Sequence, residues 1–391
     1  MERKMTAVVM GLGLILGLGS SIGSASAAEP VAAAPSLDDR VKALEEKSAS
    51  SVQVSGFVDV YYSLNFDHPA PAPGVFGNQA MRAFDVQADK FSLNVAELVF
   101  QKAPGSVPVG FRVDLDFGPG TDIVHAVEPG GVEVYKNVQQ AYVTYVAPLG
   151  KGLTIDFGKF VTHMGNEVIE SQNNWNYSRG LLFTWAIPFY HAGARVTLPV
   201  ADSLTVTLLG VNGWNNVASA NAGKDVGAEI VFTGIPKVTI VGNGIWGSFA
   251  ADGFRRDVYD LIVTVTPTEK FSIAANADFG HDDCLSFTTP GGGCGAPGNA
   301  SWYGLAGYLR YAFTDAAAMA GRAEWYKDPD GTTTGVAQTL AETTVTGEYK
   351  IGSALLTRLE YRHDWSNQNT IFNGGTEDTQ DTLTLGVVYS F

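Results

Sequence analysis

The chain has 391 residues, 45% of them apolar and only 17% charged, with 45 glycines, 11% aromatics and a net charge of −15. Soluble domains carry about 25% charged residues. The acidic balance argues against nucleic acid as a partner, because phosphate binding needs a basic face.

The N-terminus reads as an export signal. Arg3 and Lys4 precede an apolar run from Ala7 to Leu18, and Ala25-Ser26-Ala27 supplies small residues for cleavage, so residues 1–27 are assigned as a signal peptide. An uncleaved anchor is the alternative. Gly11, Gly13, Gly17 and Gly19 lack the strand and helix that a phosphate loop requires. Loss of Glu2, Arg3 and Lys4 would bring the charge to −16. Residues 28–51 form a periplasmic linker, EPVAAAP, and a short coiled-coil-like helix over 36–50. There Ser36 and Asp39 make a capping pattern, and Leu37, Val41 and Leu44 fall on one seam. That helix would either tie subunits together or lie free in solvent.

From Val52 the period becomes two. Val109, Phe111, Val113, Leu115 and Phe117 alternate with Gly110, Arg112, Asp114 and Asp116; Phe271, Ile273, Ala275, Ala277 and Phe279 alternate with Ser272, Asn276 and Asp278. A soluble sandwich could explain any one such strand. About sixteen are predicted, at 52–64, 90–101, 108–118, 137–147, 152–160, 190–199, 203–212, 226–234, 238–247, 256–266, 270–280, 301–313, 316–327, 339–350, 353–364 and 380–391. Most run to about ten residues, enough for a tilted strand to cross a bilayer. Short turns such as APLGKG, LPVADS and YKIGS alternate with long connections at 65–89, 119–136, 161–189, 213–225, 248–255, 281–300, 328–338 and 365–379. One-sided long loops suit a transmembrane antiparallel β-barrel over residues 52–391, all-β, set in outer-membrane lipid. The last strand would close on the first, with Leu383, Leu385 and Val387 facing lipid and Tyr389 and Phe391 in an aromatic girdle.

Alternation sends ionic residues inward: Asp59, Arg112, Asp114, Asp116, Asp156, Arg195, Glu229, Asp260, Asp278, Arg310, Arg322, Glu324, Glu348, Arg358, Glu360 and Arg362. A dry core could not hold so many unpaired ions, so a polar, water-filled lumen is expected throughout. Such a lumen would pass small hydrophilic solutes or ions without a cofactor. Cys284 and Cys294 bracket LSFTTPGGG, where a disulfide pinning one loop is favoured over a metal pair with His281, Asp282 and Asp283.

The terminal strand ending in Phe391 resembles the signature of Gram-negative outer-membrane barrels, which the barrel assembly machinery reads. Gly158-Lys159-Phe160, the run Gly165 to Glu170, Asn176 to Arg179, and Pro188, His191, Gly193 and Arg195 resemble the putative β-barrel porin-2 family. The resemblance implies a porin, as a homotrimer. It also implies that the third loop folds into the lumen, with Glu167 and Glu170 as constriction acids. Arg310, Arg322, Arg358 and Arg362 would face them across the opening, with Arg179 and Arg195 nearby. The lumen acids Asp114, Asp116, Asp278, Glu324 and Glu360 complete the candidate set. The arginines could instead pair with neighbouring wall acids.

Other chemistry finds little support. No His-Glu-x-x-His helix, phosphate loop or haem-attachment motif occurs. A barrel lipase using His163 and Ser171, or a structural barrel gripping a partner through residues 36–50, are the rival readings. The sequons at Asn176 and Asn299 read as chance.

Overall fold

The computed structural model describes residues 51–70, 77–126, 128, 136–218, 223–248, 253–287 and 294–391. The signal, linker and helix expectations lie outside the described residues, Ser51 apart.

Sixteen strands run in chain order: β1 Gln53–Asn65, β2 Lys90–Lys102, β3 Val109–Phe117, β4 Val138–Ala147, β5 Leu153–Val161, β6 Tyr190–Ala201, β7 Leu204–Val211, β8 Asp225–Ile235, β9 Val238–Ser248, β10 Arg255–Thr268, β11 Phe271–Phe287, β12 Cys294–Ala312, β13 Ala317–Asp328, β14 Gln338–Ile351, β15 Leu355–Ser366 and β16 Thr379–Ser390. Each pairs antiparallel with its sequence neighbours, and β16 pairs with β1, closing the barrel. Phe391 and Gly56 exchange backbone hydrogen bonds at 3.0 and 3.1 Å across that seam. Closure leaves the barrel wall without an edge strand.

The period-two pattern sets which side chains point where. Outward positions carry Phe157, Leu208, Leu305, Leu309, Leu359 and Leu385, all exposed. Exposed aromatics gather near both rims. Tyr145, Tyr311, Phe313, Tyr349, Tyr389 and Phe391 lie toward the short turns, and Phe91, Phe117, Tyr259, Phe279, Trp325 and Trp365 toward the long connections. An apolar band between two aromatic girdles is the exterior of a barrel that crosses a bilayer. No helix among the described residues is long and apolar enough to cross one.

Two expectations need correction. The stretch 281–300 is not mostly loop: β11 runs on to Phe287 and β12 starts at Cys294. Its Gly/Pro content hid a hairpin whose strands stay paired past the barrel wall, as in His281 with Ser301 and Asp282 with Ala300. Cys284 and Cys294 are disulfide-bonded across that hairpin, with Cα atoms 5.8 Å apart.

The lumen is also not polar throughout. Inward-facing Val258, Ala274, Trp302, Ala306, Tyr308, Tyr326 and Leu340 are buried. They pack with Met164, Ile169, Leu181, Leu182, Phe183, Ile187 and Phe189 from the connection between β5 and β6. That connection enters the barrel and brings apolar side chains needing apolar walls.

Candidate functional site

The β5–β6 connection, residues 162–189, is built around a 3-10 turn at Ser171–Asn173 and a π-helical turn at Leu182–Ala186. Its polar backbone must find partners inside the barrel, and the wall strands supply them. On β1, Asp59 accepts from the Ser171 hydroxyl (2.8 Å) and the Tyr177 hydroxyl (2.9 Å). On β15, Glu360 accepts from the Tyr177 and Ser178 amides at 2.6 and 2.9 Å. On β13, Glu324 accepts from the Leu181 amide. On β10 and β11, Asp260 and Asn276 accept from the Gly165 and Asn166 amides. Trp302 on β12 donates to the Ala186 carbonyl at 3.0 Å.

The wall arginines complete the seat. Arg322 donates to Glu167 (2.6 Å), Glu342 (2.7 Å) and the Ser178 carbonyl (2.6 Å). Arg358 pairs with Glu348 at 2.9 Å and donates to the Ser171 and Asn174 carbonyls. Arg362 pairs with Asp364 at 2.7 Å and donates to the Arg179 carbonyl, also at 2.7 Å. These three guanidiniums are buried, so they meet the loop directly rather than facing it across open water. Arg310 pairs with Glu348 at 2.9 Å and touches no loop residue through a hydrogen bond. Arg179, within the loop, donates to the Val168, Ile169 and Tyr177 carbonyls and stacks on Phe84. Two glycines make room: a Cβ on Gly386 of β16 would lie 2.3 Å from the Tyr177 ring, and one on Gly304 of β12 would lie 2.8 Å from Leu182.

Most of the loop's anchors therefore lie on β10 to β16 and β1; near its start, His163 donates to the Gly244 carbonyl of β9 and Thr162 meets His191 of β6. Two cavities open beside the loop, chiefly against β1 to β8, the first also touching Ser390 at the end of β16. One, of about 490 Å³, is lined by Glu97, Arg112, Gln140, Tyr142, Glu170 and Arg195 among others. The second, of about 430 Å³, is lined by Asp156, His163, Glu167, Glu170, Arg195 and Glu229 among others. Glu170 and Arg195 border both. Arg195 pairs with Asp156 at 2.8 Å and stacks over Phe160. Burial pushes the Glu170 carboxyl above the usual carboxylate range; Asp114 adds to this while Arg112 and Arg179 oppose it. Five carboxylates (Glu97, Asp156, Glu167, Glu170, Glu229) face two arginines (Arg112, Arg195) around the two spaces.

Of the candidate residues, Glu167, Glu170 and Arg195 border these cavities, while Arg322, Arg358, Arg362, Glu324 and Glu360 hold the loop. Asp114 accepts from Arg112 (2.9 Å) and Gln140 (2.5 Å). Asp116 lies one inward position away on β3, and Asp278 pairs across strands with Asp260. Sequence reasoning put Arg112 in the lumen but did not single it out, and passed over Glu97. It missed a cluster at the long-loop rim entirely. There burial and Lys159 hold His125 near a pKa of about 3. The neutral ring donates from Nδ1 to the Thr121 carbonyl (2.9 Å) and accepts at Nε2 from the Lys159 ammonium (2.6 Å). Ser171 and His163 make no hydrogen bond to each other: Ser171 donates to Asp59, and His163 to the Gly244 carbonyl. Among the described residues no three His, Cys, Asp or Glu side chains gather as for a metal.

A closed sixteen-stranded barrel with an in-folded third long connection is a porin-type architecture. The chain belongs to the putative beta-barrel porin-2, OmpL-like family, whose model matches residues 51–391. No curated protein sequence matches it. Similar solved structures include the outer membrane channel DcaP of Acinetobacter baumannii, with TM-score 0.57 and 14% identity over 87% of this chain and 97% of that one. An anion-selective porin from Comamonas acidovorans gives TM-score 0.57 and 9% identity over 87% and 99%. OmpT of Vibrio cholerae in its trimer form gives 0.57 and 11% over 87% and 99%. At these identities the likeness is one of fold.

Proposed function

We propose that the protein is an outer-membrane porin. It passes small hydrophilic solutes or ions by passive diffusion, without covalent chemistry, and the 162–189 loop is its constriction. One observation carries the reading. The loop is fastened mainly to β10–β16 and β1, and two solvent cavities remain beside it, chiefly against β1 to β8, bordered by Glu167, Glu170 and Arg195. The surplus of carboxylates around that space favours cations. In this reading residues 1–27 direct export, the strand ending in Phe391 is read by the assembly machinery, and three copies associate, as one OmpT structure does. The long connections then face outward and the short turns the periplasm.

Planar-bilayer recording tests this. Ohmic unitary currents, with a reversal potential in a KCl gradient that shows preference for K⁺, are expected. Folded protein that carries no current would refute the channel.

A further inference from the structure

Glu97 on β2 and Asp116 on β3 are direct cross-strand partners. Both point into the lumen, and they are only 4% and 1% exposed. Facing positions in a sheet bring Cβ atoms to about 4.5–5.5 Å, so the two carboxyl groups share one small space. Glu97 Oε2 and Asp116 Oδ1 are buried, and outside the pair they have no hydrogen-bond partner. Neither residue makes an ion pair among the described residues. The nearby cations make their hydrogen bonds to other groups: Arg112 to Asp114 at 2.9 Å, and Lys159, whose charge also reaches Asp116, to His125 and to the Val138 carbonyl, both at 2.6 Å. Glu170 comes down from the loop beside the same cavity as Glu97.

Two carboxylates so placed cannot both stay ionised unless a positive charge stands between them. We propose that Glu97 and Asp116 bind one hydrated divalent cation of the Mg²⁺ or Ca²⁺ class, at the edge of the 490 Å³ cavity. The ligand set is all oxygen, which suits a hard cation. Two carboxylates with the remaining positions filled by water is an ordinary way to hold such an ion, and the adjoining cavity has room for that water. The pair's two negative charges match one divalent ion. The site rests on the channel reading only for its access to solution: an ion there would sit beside the constriction and make its lining less negative.

The test uses the folded full-length barrel in detergent, titrated with CaCl₂ by calorimetry. One saturable site per barrel is expected. E97Q and D116N should each weaken it at least about tenfold, and the double variant should remove it. The proposal is overturned if the wild type shows no saturable calcium binding at millimolar concentrations, as it would if the carboxyls merely share a proton. It is equally overturned if D116N and E97Q bind calcium like the wild type. The wild-type titration decides even where a variant fails to yield the folded barrel. Recording in KCl with added CaCl₂ separates the two claims. Calcium binding without any current would refute the channel and keep the site; current without calcium binding would refute the site alone.

Discussion

Replacing Arg322 by Met should free the in-folded loop. The guanidinium is fully buried and meets Glu167, Glu342 and the Ser178 carbonyl at 2.6–2.7 Å. Removing one partner from a buried ion pair costs about 3–5 kcal/mol, because the other charge is stranded. Here Glu167 still accepts from the Gly180 amide and Glu342 from the Thr344 hydroxyl, which places the cost near the lower end. About 3 kcal/mol lost from the seated state alone raises the unseated population about a hundredfold. Unitary currents should become larger or flicker between levels, and protease should cut within 166–180, while the heat-resistant folded band persists. Adding Glu167→Gln removes one stranded carboxylate and should restore about 1 kcal/mol, measurable as coupling in a double-mutant cycle. An R322M channel with wild-type conductance, noise and protease resistance would refute the argument that this arginine holds the loop.

Gly386→Ala should have a related effect: its Cβ would lie 2.3 Å from the Tyr177 ring, an overpacking worth about 1–3 kcal/mol, read as new cleavage near Tyr177. Arg195→Gln should increase cation preference and Glu170→Gln decrease it, both read as reversal potential in a KCl gradient; no shift in either would remove both from the constriction. His163, held by burial down to about 4, stays neutral when seated, whereas a freed imidazole titrates near 6.5. The released form binds the extra proton, so the seat should weaken as pH falls from about 6.5 toward 4, and His163→Gln should remove that part of any acid-induced noise. Cys284→Ser with Cys294→Ser should leave the barrel's heat-resistance intact, since the bridge ties only the outer part of the β11–β12 hairpin, and should raise protease cleavage at that hairpin.

The barrel was legible because its two faces differ so sharply. Each of the sixteen predicted strands has a counterpart, and Val109 to Phe117 shows the alternation that the structure displays. The hairpin past Gly280 was obscured by glycine and proline, although His281 to Phe287 stays in a strand. The loop's seat was less accessible, because its bonds join residues far apart in sequence: Arg322 and Glu167 are 155 residues apart. An inward arginine facing water and one gripping a carbonyl look identical in sequence. One signal was present. Trp302, Ala306 and Tyr308 keep the inward phase of β12 yet are apolar, which a wall facing only water would not need.

Because the loop leans on one side, the two halves of the cylinder should tolerate change for different reasons. A saturation screen of inward positions should therefore sort by compass direction. Altered growth on, or resistance to, particular small molecules should come mainly from β2 to β8. Poor yield or leakiness to everything should come mainly from β10 to β16.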